Sequence, residues 1–345
     1  MHPTLDEYLD ARTGHSRELQ AVAWTLRTLA AAAQGVAELV ARGTLSGNLA
    51  RVRTEHAVGG DAQKELDALC HRRFLDALRT APVASLLSEE ADLPLLLNDT
   101  APLAVAIDPL DGSSNIDANL AMGTIFSILP ARESEDALAS FLQPGSAQIA
   151  AGFFVYGPQT SLAFTMGAGT CLFVLDRDSG HFRLAARNVA IPSRTREYAI
   201  NAANRRHWDA ALRAYVDDLE RGDTGPRREN FKQRWTASVV AEAWRILARG
   251  GVYLYPRDDR VGYRRGRLHL IYEANPIALL VEQAGGAATD GERRIMDLRP
   301  EAPHERTGLV FGATAEVGRV ARYCTGLGHD AERSPLFQPR GLLRA

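Results

Sequence analysis

Ala106-Ile107-Asp108-Pro109-Leu110-Asp111-Gly112-Ser113-Ser114-Asn115 is an apolar run that stops at two acids and continues as a loop of small residues. Asp108 and Asp111 lie three apart across a proline-stiffened turn, so both carboxylates can face one point. Two close carboxylates repel unless a proton or a cation sits between them. Hard divalent cations take oxygen ligands, and magnesium pairs a few carboxylates with substrate phosphate. The carbonyl of Leu110, between the two acids, offers a further oxygen. Gly112, Ser113 and Ser114 then supply close backbone approach, N–H groups and hydroxyls, which suit a phosphate. Metal ligands and a phosphate cradle are contiguous in the chain.

Around this stretch the pattern alternates between helical and extended. Glu18 to Arg42 is rich in Ala and Leu and predicts a long amphipathic helix that ends at Gly43 to Gly47. Ala62 to Arg79 has a second helical pattern, with Asp61 placed as its N-cap. Val83 to Leu87, Leu103 to Ile107, Thr124 to Leu129, Ala150 to Tyr156 and Ser161 to Met166 read as strands. Ala131 to Ser146 is largely polar and reads as an exposed loop or lid. Beyond Ile191, strands are expected over 198–201, 252–255 and 268–272. Helices are expected over 208–219, 236–249 and 276–283, the last with Asn275 as N-cap and Pro276 in its first turn. The expectation is an α/β fold of layered helices and mixed sheets, divided into halves 1–190 and 191–345.

Bulk properties narrow the function classes. The 345 residues carry a formal net charge of −2, which calls for neither nucleic acid nor an anionic membrane as partner. Basic charge is almost all arginine, since Lys64 and Lys232 are the only lysines. The three cysteines are scattered without a CxxC, which suits a reducing cytoplasm better than a disulfide framework or a zinc site. Met1 to Thr13 lacks the apolar core of a signal peptide.

Further acids gather near the ends of extended segments. Glu89 and Glu90 close one, and Glu273 closes another and opens a helix. Taken singly they are ambiguous. Glu273 alone can compensate a helix dipole, Asp61 alone can cap a helix, and Asp67 alone can be a solvated helix residue. Together they lie where sites of open α/β sheets gather.

From about Thr25 to Thr325 the chain resembles class I fructose-1,6-bisphosphatase of the bacterial type. The opening stretch continues as Ile116-Asp117 and Gly123-Thr124-Ile125-Phe126. Further matches are Gly60-Asp61-Ala62-Gln63-Lys64-Glu65-Leu66-Asp67, Ser88-Glu89-Glu90, Gly250-Gly251-Val252-Tyr253-Leu254-Tyr255-Pro256 and Tyr272-Glu273-Ala274-Asn275-Pro276. The resemblance implies a sugar-phosphatase fold and hydrolysis of the 1-phosphate of fructose 1,6-bisphosphate. It implies that Glu89, Asp108, Asp111, Glu273 and the Leu110 carbonyl hold two or three magnesium ions, with manganese able to substitute. Asp67 with Glu90 would position and deprotonate the attacking water, assisted by Asp61. Asp111, Gly112, Ser113 and Ser114 would lie at the 1-phosphate, and Asn201, Tyr255 and Arg267 at the distal phosphate and sugar. Arg234 would reach the distal phosphate too, in a neighbouring subunit of a homotetramer. A related activity on sedoheptulose 1,7-bisphosphate, alone or in addition, and a non-catalytic sugar-phosphate sensor are the alternatives. The sensor would require a lost acid, and all seven are present.

The chain departs from the family's usual pattern at Val239 (usually Met), Arg267 (usually Lys) and His269 (usually Arg, near the metals). Thr13-Gly14-His15-Ser16-Arg17-Glu18 and Pro102-Leu103 replace the residues on which AMP inhibition relies, so weak or absent AMP inhibition is expected. The Ala131 to Gln148 stretch has no cysteine, which argues against a chloroplast-type redox switch.

Overall fold

A computed structural model describes residues 2–58, 61–134 and 136–326, with the side chains of 53–58 and 61–62 outside that description. Helices α1 (Leu5–Thr13) and α2 (Arg17–Arg42) lead through a ribbon of β1 (Val52–Val58) and β2 (Asp61–Lys64) into α3 (Glu65–Leu78). A run of strands follows: β3 (Val83–Ser88), β4 (Leu95–Leu96), β5 (Leu103–Asp111), β6 (Met122–Pro130), β7 (Ala150–Tyr156), β8 (Thr160–Thr165), β9 (Thr170–Asp176) and β10 (His181–Ala186). The remainder is β11 (Glu197–Ile200), α4 (Ala210–Glu220), β12 (Lys232–Gln233), α5 (Val239–Arg249), β13 (Val252–Tyr255), β14 (Leu268–His269), α6 (Asn275–Gln283), β15 (Ala287–Thr289), β16 (Arg306–Thr307), β17 (Leu309–Gly312) and α7 (Thr314–Cys324).

Two sheets organise these elements. The first has eight strands in the order β10-β9-β8-β7-β6-β5-β3-β4, antiparallel except for the parallel pair β3 and β5. The second has the order β12-β11-β13-β17-β15, with β11 parallel to both its neighbours. Strand alternation sends side chains to opposite faces. Phe154 and Phe126 join α1, α2 and α3 in one core, while Phe153 and Ile125 join α5 and α6 in another. Tyr253 and Phe311 of the second sheet close that second core, and their neighbours Leu254 and Val310 pack instead on α4 and α7. The stacking is therefore helix, sheet, helix, sheet, helix, with α5 and α6 between the sheets. No helix among the described residues is long and apolar enough to cross a membrane.

Several elements differ from the sequence expectation. Helix α3 begins at Glu65, and Asp61 opens β2 rather than capping a helix. The N-terminal stretch read only for the absence of a signal peptide forms α1, closed by a capping box. Glu7 N–H donates to Thr4 Oγ1 at 3.2 Å, and Thr4 N–H donates to the Glu7 carboxylate at 2.8 Å. Of the polar stretch 131–146, residues 132–134 and 136 are exposed as expected, but Phe141 and Gln143 are buried, so its second part is packed against the sheet rather than free. The helix expected from Thr236 starts at Val239, where the Ser238 hydroxyl accepts from Ala241 N–H. The strand expected over 268–272 stops at His269 and becomes a π turn, Leu270–Ala274. That turn runs straight into α6, so Asn275 is helical (φ −61°, ψ −52°) and not an N-cap.

Candidate functional site

The Asp108–Asp111 segment is a bulged strand, not a turn. Asp108 pairs with Ile125 and Asp111 with Gly123, so three steps along β5 match two along β6. In a regular strand, residues three apart face opposite sides. The extra residue cancels that and turns both carboxylates to one side. Pro109 is tolerated because a bulge frees its position from the ladder, and its carbonyl accepts from Thr124 Oγ1 at 2.9 Å. Gly112 follows with φ +78°, and a Cβ there would lie 3.0 Å from that of Ser238, so glycine is required twice over.

These acids converge with one from the far half of the chain. Ligand-capable oxygens of Asp108, Asp111 and Glu273 all lie within 4.8 Å of one another, and all three residues are buried. Each carboxylate uses one oxygen to anchor itself. Asp108 accepts from Leu110 N–H at 2.9 Å, and Glu273 accepts from His269 N–H at 2.6 Å across the π turn. Asp111 accepts from Ser238 Oγ at 2.8 Å and Val240 N–H at 3.0 Å, at the N-terminus of α5. Glu89 directly follows β3, the parallel neighbour of β5, and its charge acts on the Asp108 carboxyl.

The electrostatics are those of a site short of positive charge. Burial, then the charges of Glu89, Asp111 and Glu273, push Asp108 well above the carboxylate range. Burial and Glu273 raise Asp111 to about 7 against its helix-terminus donors. Burial, then Glu89, also raises Glu273 despite the relief from His269. Glu89 moves the other way: burial raises it, but His269, with Asp108 and His304, together lower it. Burial disfavours a charged His269, yet Glu273 and Glu89 together lift it to about 10. A compact, buried, all-oxygen anionic set fits a hard divalent cation, and the absence of thiolates argues against a soft one.

The cavity over these acids has a volume of about 570 Å³ and also receives Asp67, Glu90, Gly112, Ser113, Ser114, Asn201, Tyr255 and Arg267. Asp67 is at the third position of α3, where Lys64 N–H donates to Oδ2 at 2.7 Å while Oδ1 is buried without a partner among the described residues. Burial, with Glu89 adding to it, lifts Asp67 to about 7. Glu90 accepts from Gln63 Nε2 at 2.5 Å. Lys64 Nζ donates to the Ser113 carbonyl at 2.9 Å, which ties the α3 entrance to the loop of small residues. Asp61 lies on β2, with its side chain outside the described residues.

At the other end, Asn201 and Tyr255 sit at the C-terminal ends of the parallel neighbours β11 and β13. The Asn201 carbonyl oxygen accepts from Ala203 N–H at 3.1 Å. Trp235, Tyr253 and Tyr255 stack in succession, with centroids 5.7–6.2 Å apart, and the Arg267 guanidinium lies 5.5 Å over the Tyr263 ring and donates to its hydroxyl. Arg234 does not line this cavity. It is half exposed, 3.8 Å from Glu197. A second cavity of about 650 Å³ lies by the C-terminal end of α2, between Val40, Leu49 and Met122. It gathers no carboxylate cluster, so size alone does not locate the chemistry.

Sequence reasoning did not assign Ser238, Gln63 or Lys64 a part in this arrangement. Ser238 had a legible signal, a hydroxyl residue just before an apolar helical pattern. Gln63 and Lys64 act through contacts that only the folded chain creates.

Two family models match the chain: the N-terminal domain of fructose-1-6-bisphosphatase over residues 4–187 and its C-terminal domain over residues 191–325. A fructose-1,6-bisphosphatase class 1 of Methylorubrum extorquens is 53% identical over 342 residues, covering 99% of this chain and 98% of the relative. That of Sinorhizobium medicae is 52% identical over 345 residues, covering 99% of both. Among solved structures, the holo form of Leishmania major fructose-1,6-bisphosphatase superposes with a TM-score of 0.86 at 29% identity, covering 95% of this chain and 99% of that one.

Proposed function

Because the chain belongs to the fructose-1,6-bisphosphatase family, we propose that it hydrolyses the 1-phosphate of fructose 1,6-bisphosphate to fructose 6-phosphate and phosphate. The observation that carries the reading is one cavity with two unlike ends, a carboxylate cluster at one and Asn201, Tyr255 and Arg267 at the other. A bisphosphate has two phosphates to place, and a monophosphatase would leave the second end without purpose.

In this reading Glu89, Asp108, the Leu110 carbonyl, Asp111 and Glu273 hold two or three magnesium ions, or manganese in their place. Such ions neutralise phosphate charge and lower the pKa of a bound water. The loop from Gly112 to Ser114 holds the 1-phosphate with N–H groups and hydroxyls, and Lys64 keeps that loop in place. Asp67, raised to about 7, stands near the pKa a general base needs at neutral pH. Glu90, oriented by Gln63, and Asp61 align the water that Asp67 deprotonates. Arg267 grips the distal phosphate as a fork rather than as the point charge of a lysine. Binding energy from that end orients the reacting end.

Arg234 completes the distal end of a neighbouring subunit in a homotetramer, which accounts for its position outside the cavity of its own chain. The test is phosphate release from fructose 1,6-bisphosphate with magnesium and with EDTA. Metal-dependent release is expected, and its absence on every sugar bisphosphate tried would refute the proposal.

A further inference from the structure

Among the described residues, His269 sets its ring against the carboxylates of Glu89 and Glu273, and its surroundings do not suit an ordinary buried histidine. It is 3% exposed, yet among the described residues neither ring nitrogen has a hydrogen bond of acceptable geometry. Nδ1 lies 3.1 Å from Glu89 Oε1 and 3.5 Å from Glu273 Oε2. The distances are short enough, but the direction is wrong for N–H to point at either oxygen. Buried polar atoms left in this condition are rare and call for an absent partner.

The spacing identifies that partner. Adjacent donors around an octahedral ion, each at about 2.1 Å from it, lie about 3 Å apart. Nδ1 and Glu89 Oε1 have that separation without the alignment of a hydrogen bond. The ring is held in place, with Tyr272 edge-on at 5.4 Å and His304 edge-on at 5.6 Å. Its backbone N–H is committed to Glu273, so the residue and that carboxylate move as a unit. His269 also lines the same cavity as Glu89, Asp108 and Asp111.

The geometry points to His269 as a nitrogen ligand at the edge of the metal site, paired there with Glu89 and beside the Asp108, Asp111 and Glu273 cluster, and shifting the site's preference from magnesium toward manganese and later first-row ions. The inference rests on the metal-dependent reading above and goes beyond it. Imidazole is a softer donor than carboxylate, and its gain in affinity falls on transition ions far more than on magnesium. The rival arrangement is an imidazolium that only balances the two carboxylates.

Manganese separates these without recourse to turnover. Bound Mn²⁺ is counted by electron paramagnetic resonance, and spin-echo modulation reports a directly coordinated ¹⁴N. The full-length protein with Mn²⁺ is expected to show imidazole coordination. His269→Gln is expected to bind Mn²⁺ without that signal and at least about tenfold more weakly, the low end of what even outer partners of metal ligands contribute. Its Mg²⁺ affinity should change less than the Mn²⁺ affinity does. Bound Mn²⁺ with no nitrogen coupling in the unaltered protein would overturn the inference and leave the metal reading standing. Nitrogen coupling that survives His269→Gln would overturn it too. No Mn²⁺ binding at all would overturn both. A spectrum of the unaltered protein without nitrogen coupling overturns the inference even if His269→Gln fails to fold, and His304→Gln, which should keep the coupling, then assigns a positive signal.

Discussion

Asp108 and Glu316 are equally hidden, each 3% exposed, and their surroundings are opposite. Glu316 lies in α7 with both oxygens occupied: Tyr215 OH donates to one at 2.9 Å and Arg227 Nη2 to the other at 2.5 Å. Arg227 in turn covers the Phe231 ring at 4.6 Å. Asp108 lies among Glu89, Asp111 and Glu273, and burial plus those neighbours push it well above its ordinary range. A buried charge with its partners built in is a fastener between α4, α7 and the segment before β12. A buried carboxylate among like charges is suited to a bound cation. Burial alone does not distinguish them; the sign of the neighbours does.

The largest expected effect tests the acid-rich region. Asp108→Asn should lower turnover by about a thousandfold or more, roughly 4 kcal/mol in the barrier, because it weakens metal binding. It should leave the metal-free fold no less stable, since it removes repulsion. Steady-state kinetics and unfolding of the metal-free protein check both halves, and near-normal turnover would break the contrast. Glu316→Ala should do the reverse. It leaves Arg227 buried without its partner and should cost about 3 kcal/mol of unfolding free energy in denaturant titration, with magnesium affinity unchanged. A stable Glu316→Ala protein would mean that the fastener holds nothing.

The smallest effect is a matter of pH. Asp67 and Asp111 sit at about 7 in the metal-free fold, against about 4 when unfolded, and Asp108 is raised as well. Between those values the folded chain holds more protons than the unfolded one, so stability falls as pH rises. The stabilisation from these groups is complete below about pH 4 and lost as pH passes 7. On the proposed function, magnesium would replace the departing protons. Its stabilisation, about 2.7 kcal/mol at a hundred times the dissociation constant, should be larger at pH 8 than at pH 5.5. Equal thermal shifts on adding magnesium at the two values would break the link between repulsion and metal binding.

What the sequence made legible follows from the same physics. Strands β7 and β13 match their expected residues because turn residues bound them closely, and α2 is long enough for its period to declare itself. The acids were found because their residue types and spacing carry chemistry wherever the backbone goes. The backbone between them was misread, since Asp-Pro marks a turn and a bulge equally well and only pairing with β6 decides. The π turn at 270–274 was read as strand because a short apolar run fits either state. Strands β9, β10, β15 and β17 and helix α7 went unassigned: β10 and β15 are sheet edges, and β9 and β17 are settled by pairing with strands on both sides. Thr4-x-x-Glu7 was a legible helix start that was passed over.

The bulge in β5 has one more consequence, for the order in which the molecule is built. It brings Asp108 and Asp111 to one side, but the cluster is complete only when Glu273 arrives from more than 160 positions along the chain. A pocket of such high contact order closes late in folding, after the costly loop closures have been made. A cation there can reward only the finished structure. Bound there, it would act as a latch that slows unfolding rather than as a template that guides assembly.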